Sequence, residues 1–293
     1  MKVYRILLTL VLLSTSLIIN SCKKDDPGIA DILIVADRKT GEIFQVNLST
    51  GELTEVTQVM YNGTGLSEIR GMVYNPSNKT IYVSSTDNTI DGLTDDGMGR
   101  LYSINPETQV ATRINSNPND HWYGLPDIKI TSDNKLLASV WHKIAGPLAN
   151  SAPGLIKFNL DGSVNNQYIF LFDDATEADI CCGMGIVEGA SATELIVGSY
   201  ELEIYTSNLT GEVSLKGTLT LQGFDAASAT DNYYIKNMVK HSNTIYAVVY
   251  SDYDGITYLA TVDLTNNKLI KVGAMGDETV QYHGLSVIPG NLF

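Results

Sequence analysis

Basic residues are scarce in this chain. Lys and Arg number 19 against 33 Asp and Glu, a formal net charge of −14 over 293 residues, which argues against nucleic acid or an anionic membrane surface as the partner. No segment reaches the ~18 consecutive apolar residues that a spanning helix needs, so the chain is not read as an integral membrane protein. Helical periodicity is missing beyond the first 21 residues, which leaves neither a bundle nor a coiled coil. With 8 Pro, 25 Gly and 44% hydrophobic residues, collagen-like and disordered chains are excluded too, and a globular fold of one or two domains is expected. Chemistry-bearing residues are equally sparse. The four histidines, His121, His142, His241 and His283, have no Ser or Cys partner at a recognisable nucleophile elbow. Only Glu68, Asp127 and Asp179 stand near predicted inner strands as candidates for a glycosidase carboxylate pair.

The N-terminus carries an address. Lys2 and Arg5 precede an apolar stretch, Ile6 to Ile19, too short for a stable anchor, and residues 1–21 read as a secretion signal that is removed. That stretch ends Ile19-Asn20-Ser21-Cys22, followed by Lys23-Lys24-Asp25-Asp26. The first four residues resemble a bacterial lipobox, and a Cys with a charged tract behind it resembles lipoproteins of the Bacteroidota. The alternative is an ordinary signal peptide with a chance cysteine. The resemblance implies that Cys22 is lipidated, palmitate included, and that residues 22–30 form a tether. Two acyl chains or more hold a protein stably on a bilayer. The expected location is the cell envelope, anchored to the outer membrane on its periplasmic or exposed side. Without Lys2 and Arg5, 17 basic residues remain against 33 acidic, which keeps such a domain soluble beside an anionic envelope.

Residues 31–293 contain a repeat. Five segments share a strand, then Asn or Asp, then a tight turn, centred on Asn47, Asn105, Asn159, Asn208 and Asp263 at spacings of 58, 54, 49 and 55 residues. Apolar alternation on both sides of a Gly/Asn/Asp turn predicts β-hairpins. A second element recurs in phase: Gly71-Met72-Val73, Gly124-Leu125-Pro126, Gly183-Met184-Gly185, Asn237-Met238-Val239 and Gly284-Leu285-Ser286. Each precedes a turn and another apolar strand, so each unit holds four strands. Four-stranded units of about 50 residues predict an all-β, five-bladed β-propeller. The last unit lacks three strands that Ile32 to about Val59 supply, which predicts that Gly284 to Ile288 is the inner strand of a blade completed by the N-terminal strands. A sixth blade would need strands within 88–99 or 144–154, whose Gly, Asp, Pro and Ala content reads as loop. The Asp-Leu-x-Thr-Gly hairpins resemble those of the secreted YVTN/NHL and quinoprotein-like propeller superfamily across residues 31–293. The resemblance implies fold and leaves activity open.

Strand polarity predicts which residues crowd one face of such a ring. Arg70, Tyr123, Cys182, Lys236 and His283 precede the inner strands, and Asp37, Asp87, His142, Glu201 and Asp252 follow the second strands. With Trp122, Trp141 and the long loops 88–99 and 144–154, these define the candidate site. Aromatics interleaved with polar residues suit a glycan or a peptide, although each ring could instead pack between blades. The ring of residues offers a hard metal little beyond His283, whereas propeller lactonases draw carboxylate and amide ligands from that rim. The acidic loop Asp87 to Gly97 has oxygens for Ca²⁺, but its spacing departs from the EF-hand pattern, and a solvated acidic loop is the favoured reading.

Cys181-Cys182 is the remaining oddity. Export favours oxidation, yet adjacent Cα atoms are ~3.8 Å apart where disulfides prefer ~4.4–6.8 Å. A vicinal disulfide, reduced buried thiols and a metal or redox role all stay open, although two thiols alone do not make a four-ligand zinc site. Some quinoprotein propellers resemble this chain in setting such a ring against their ligand. The expectation is therefore a monomeric, lipid-anchored propeller without catalytic residues, binding a carbohydrate, a peptide or an envelope protein through Arg70, Trp122, Tyr123, Trp141, His142, Cys181, Cys182, Lys236 and His283. The alternatives are a hydrolase, lyase or lactonase acting in the channel, and a structural envelope scaffold.

Overall fold

A computed structural model describes residues 30–86, 99–115, 122–143, 153–172, 174, 178, 180, 184–191, 193–199, 202–225 and 232–293. Cys22, the cysteine pair 181–182 and the acidic loop 87–97 lie outside them. Five antiparallel four-stranded blades make up the domain. From the inner strand outwards, blade 1 is Tyr282–Pro289, Asp31–Asp37, Glu42–Val46 and Leu53–Gln58. Blade 2 is Ile69–Asn75, Thr80–Ser85, Arg100–Asn105 and Val110–Arg113. Blade 3 is Ile128–Ile130, Leu136–Val140, Gly154–Phe158 and Val164–Ile169. Blade 4 is Gly185–Glu188, Glu194–Gly198, Glu203–Asn208 and Val213–Thr218. Blade 5 is Tyr233–His241, Thr244–Ser251, Thr257–Asp263 and Lys268–Ala274. Closure runs as the repeat predicts: Ile32 pairs with Ile288 and Ile34 with Ser286, so the C-terminal strand is the inner strand of a blade finished by the N-terminal ones. No α-helix occurs among the described residues.

Alternation within a strand explains why both faces are apolar. In the second strand of blade 1, Ile34 and Ala36 pack against Met72 and Val83 of blade 2, while Leu33 and Val35 pack against Val248 and Leu259 of blade 5. The same two-faced division recurs at each junction, giving five separate cores, one per blade interface. A sheet buried on both faces reads as a continuous apolar run rather than a clean alternation, as Leu136–Val140 does.

The repeated Asn/Asp turn has a role beyond reversing the chain. As each blade ends, its exit segment lies on the turn of the next. Met60 N–H donates to the Gln109 carbonyl at 2.9 Å, Leu171 N–H to that of Gly211 at 3.0 Å, and Thr220 N–H to that of Asn267 at 2.8 Å. At Gly162 a Cβ would stand 2.6 Å from the Ile114 carbonyl carbon, and at Gly51 2.9 Å from that of Gly273. All five turn residues sit in the left-handed region, with φ of 78° at Gly51, 56° at Gln109, 81° at Gly162, 91° at Gly211 and 50° at Asn267, which is why Gly, Asn or a strained residue recurs there. Two exit segments extend this contact into short strands, Met60–Tyr61 on blade 2 and Thr220–Gln222 on blade 5, each running parallel to the outer strand it meets.

At the axis, two buried side chains join all five blades. Asp127, at the entry to blade 3, accepts from its neighbour Ile128 N–H at 2.9 Å, from Ile186 N–H of blade 4 at 3.0 Å and from Met238 N–H of blade 5 at 3.4 Å, with Lys129 Nζ 3.3 Å away. Asn237 of blade 5 donates to the Arg70 carbonyl of blade 2 at 2.9 Å and to the Pro126 carbonyl at 3.1 Å, and accepts from Gly284 N–H of blade 1 at 2.8 Å. Both residues are fully buried. Burial pushes the Asp127 carboxyl up from its ordinary value, against Lys129's charge and the facing N–H groups. Asp127→Asn keeps the shape but sets an amide donor among these donors and strips Lys129 of its counter-charge. A loss of about 3–5 kcal/mol is expected, read from the urea midpoint, with partial recovery when Lys129→Met is added. An unchanged midpoint would show that this tie is dispensable.

Candidate functional site

Above the Asp127/Asn237 tie, the residues that start the inner strands meet at one end of the channel. Backbone bonds set their spacing. Arg38 N–H donates to the Gln281 carbonyl at 2.9 Å and Ile69 N–H to the Arg38 carbonyl at 3.1 Å, bringing the end of one strand in blade 1 beside the starts of two others. Because Asn237 holds both the Arg70 carbonyl and Gly284 N–H, Arg70 itself stands around the same axis as Lys236 and His283, which precede Asn237 and Gly284 by one residue.

Glu68 occupies the centre of the arginine side. Its Oε2 accepts from Arg38 Nε at 2.5 Å and from Arg70 Nη2 at 3.1 Å. Arg38 also donates to Gln281 Oε1 at 2.7 Å, and Arg70 Nε to Thr86 Oγ1 at 3.2 Å. Glu68 has a φ of 53°, a left-handed conformation that costs a non-glycine residue ~1–2 kcal/mol and that clusters at functional sites. Across the mouth, Lys236 Nζ lies 4.4 Å from the Tyr234 ring centre and 5.7 Å from that of Tyr250. Tyr234 OH donates to Asp252 Oδ2 at 2.6 Å.

These surroundings change proton affinities. Lys236 is pulled down to about 8, by burial first and by the Arg70 charge second, with Asp252 opposing. His283, 3% exposed, is held well below the ordinary histidine value by burial and then by Arg70, Lys236 and Arg38, so it is a neutral imidazole at pH 7.

The structure thus brings together Arg70, Lys236 and His283 from the predicted ring, and places Trp141 beside them with the Arg70 guanidinium carbon 5.9 Å from its ring centre. Trp141 is half-buried, backs onto the blade 3–blade 4 core and covers Gly124, where a Cβ would fall 2.4 Å from the ring. It is wall and core at once. Trp122 and Tyr123 pair through their backbones with Lys143 and His142 in a two-stranded ladder apart from the five blade sheets. Cys181 and Cys182 fall outside the described residues. Arg38, Gln281, Tyr234 and Tyr250 escaped the sequence reading. Arg38 is one residue beyond Asp37, and the alternation that places Lys236 at the mouth places Tyr234 there as well. Among the described residues, no group of three or more His, Cys, Asp or Glu is placed to hold a metal ion.

No known family model matches the sequence, and no curated protein matches it. Solved structures that resemble it are β-propeller proteins. The nidogen/laminin complex contains a chain that aligns with a TM-score of 0.50 at 10% identity, covering 88% of this chain and 98% of that one. The PQQ-bound aldose sugar dehydrogenase of Streptomyces coelicolor aligns at 0.44 and 12% identity, over 85% and 77% of the two chains. The periplasmic gluconolactonase PpgL of Pseudomonas aeruginosa aligns at 0.43 and 10% identity, over 87% and 83%. The likeness is one of fold.

The depressed bases make a pH prediction. A base with a lowered folded value binds fewer protons when native than when unfolded, so stability rises with pH across the interval between the two values. For His283 this interval ends at about 6.5, and acidification below it removes stability. For Lys236 it runs from about 8 to 10.5. In His283→Gln the acid-side loss should shrink, so that the wild type loses ground to the variant between pH 7 and 5 in urea titrations. A difference that stays constant with pH would count against a neutral buried imidazole.

Proposed function

We propose that this protein is a lipid-anchored envelope propeller that binds a polar ligand, a glycan or a peptide presented free or on an envelope protein, at the mouth of its channel. The observation that carries the reading is the convergence of Arg38, Arg70, Lys236, Trp141 and neutral His283 from four blades over a floor closed by hydrogen bonds. Asp127 and Asn237 in the floor are engaged by backbone groups of the blades. The groups at the mouth combine cations, an acceptor and ring faces, which is how ligand sites fix orientation. Arg70→Gln should weaken a ligand by about 1–3 kcal/mol, as for a charged anchor within a binding site, with the native fold retained by circular dichroism. Equilibrium dialysis against glycan and peptide panels checks this. A ligand indifferent to Arg70 and Lys236, or none at all, would move the reading to a structural scaffold.

The anchor is proposed at Cys22. Cys22→Ser should shift the protein from the membrane fraction to a soluble or unprocessed form, and unchanged fractionation would remove the lipoprotein reading. One observation favours catalysis as a second reading: Lys236 and His283 are buried bases with lowered proton affinity at the channel mouth, and groups perturbed in this way cluster at active sites. Its test is turnover of lactones or glycosides that disappears in His283→Gln.

A further inference from the structure

The inner strands of blades 1, 2 and 5 break register where they reach the mouth. In blade 5 the pairing of Tyr233–His241 with Thr244–Ser251 slips between Ile235 and Asn237, in blade 2 that of Ile69–Asn75 with Thr80–Ser85 slips between Ile69 and Gly71, and in blade 1 the slip lies between His283 and Ser286. Lys236 and Arg70 are the extra residues of the first two bulges. A β-bulge re-aims a side chain and recurs beside active sites. On blade 5 the aim is specific. Tyr234 and Tyr250 are cross-strand partners with ring centres 6.4 Å apart, and Lys236 Nζ lies 4.4 Å from the first ring centre and 5.7 Å from the second. The lysine is partly exposed, so a small molecule entering the mouth reaches its amine.

We infer that Lys236 is a nucleophilic amine that captures a small aldehyde of apolar body as an imine. The Nζ lone pair attacks the carbonyl carbon, and a C–N bond forms as the C=O π pair moves to oxygen. The two amine protons pass through water to that oxygen, which leaves as water while C=N takes the place of C=O, so no oxidant or reductant is needed. A lysine serves as a nucleophile when it is desolvated or stands next to another cationic group. Lys236 meets both conditions, through burial and through Arg70, with Arg38 adding to the second. Asp252 and the ring faces oppose them by favouring the ammonium, and His283 beside it is neutral. At a value of about 8, roughly one amine in ten is neutral at pH 7, against about one in 3,000 at the ordinary 10.5. The rings select the aldehyde: carbon joined to Nζ is held against the faces of Tyr234 and Tyr250, which suit an aryl or alkyl group. This chemistry goes beyond reversible binding and stands whether or not lactones or glycosides are turned over.

The test is reductive trapping on the whole exported protein, with benzaldehyde and sodium cyanoborohydride, which turns the imine into a stable secondary amine, followed by peptide mapping by mass spectrometry. The quantity read is the rate of labelling at Lys236 relative to Lys79, an exposed lysine in the turn between the first two strands of blade 2. At pH 7 Lys236 is expected to label at least about tenfold faster, a ratio that falls towards one above about pH 8 as exposed lysines lose their protons and that is lost in urea. Asp252→Asn should raise the pH 7 ratio and Arg70→Gln should lower it, since one removes an acid facing the amine and the other a like charge. Labelling of the native protein at pH 7 that is no faster at Lys236 than at Lys79, or a ratio that does not change with pH, would overturn the nucleophile. D-glyceraldehyde that labels Lys236 with the same selectivity as benzaldehyde would overturn the choice of an apolar aldehyde. The glycan and peptide panels, whose ligands form no bond to the protein, decide separately whether the mouth binds reversibly.

Discussion

The ring depends on the pair of side chains at its axis. Five blades joined only by apolar faces could slide radially, because hydrophobic contact is non-directional. Asp127 and Asn237 supply direction. Between them they bond to backbone groups of blades 1, 2, 3, 4 and 5, and each bond has a narrow range of length and angle. A buried carboxylate without such partners would cost several kcal/mol in desolvation; here donors from three blades and Lys129 surround it. The axis is therefore polar, fully engaged and intolerant of small displacements, while the five surrounding cores tolerate repacking.

Closeness at this axis explains the small residues of the inner strands. A Cβ at Gly71 would stand 2.8 Å from Ile128 N, and one at Gly185 3.0 Å from the Asn237 carbonyl carbon. Backbones must approach this near for one aspartate and one asparagine to span the ring. The outer latch works oppositely, at the rim, where the Asn/Asp turns receive the exits of preceding blades. The domain is thus held twice, by bonds at its centre and by turns near its rim, with the apolar faces filling the space between.

How much of this was legible follows from the range of each signal. Strands, turns and blade number were readable because they are written locally, in period-two alternation and in turn residues around Asn47, Asn105, Asn159, Asn208 and Asp263. Ring closure was readable by counting strands. Arg70, Lys236 and His283 could be assigned to one face because polarity alternates regularly in a meander. Asp127 was noticed only as a carboxylate, since its partners Ile186 and Met238 lie 59 and 111 positions away and no local pattern announces them. Arg38 was missed because it lies past the strand end, where alternation stops carrying information. Trp141 could be named as a ring at the mouth but not as a residue that also covers Gly124, because packing is a property of the assembled blades.

Asn237 links these levels. The side chain that fixes Gly284 and the Arg70 carbonyl is flanked in sequence by Lys236, and its two partners are flanked by His283 or belong to Arg70 itself. The bonds that close the ring are the bonds that set the separations of the cations above it. Repulsion among Arg38, Arg70 and Lys236 pushes outward at the mouth, and the Asp127/Asn237 tie one layer below resists it. Cations from three blades can stand this close, with Glu68 and Asp252 among them, because the floor beneath is bonded to every blade.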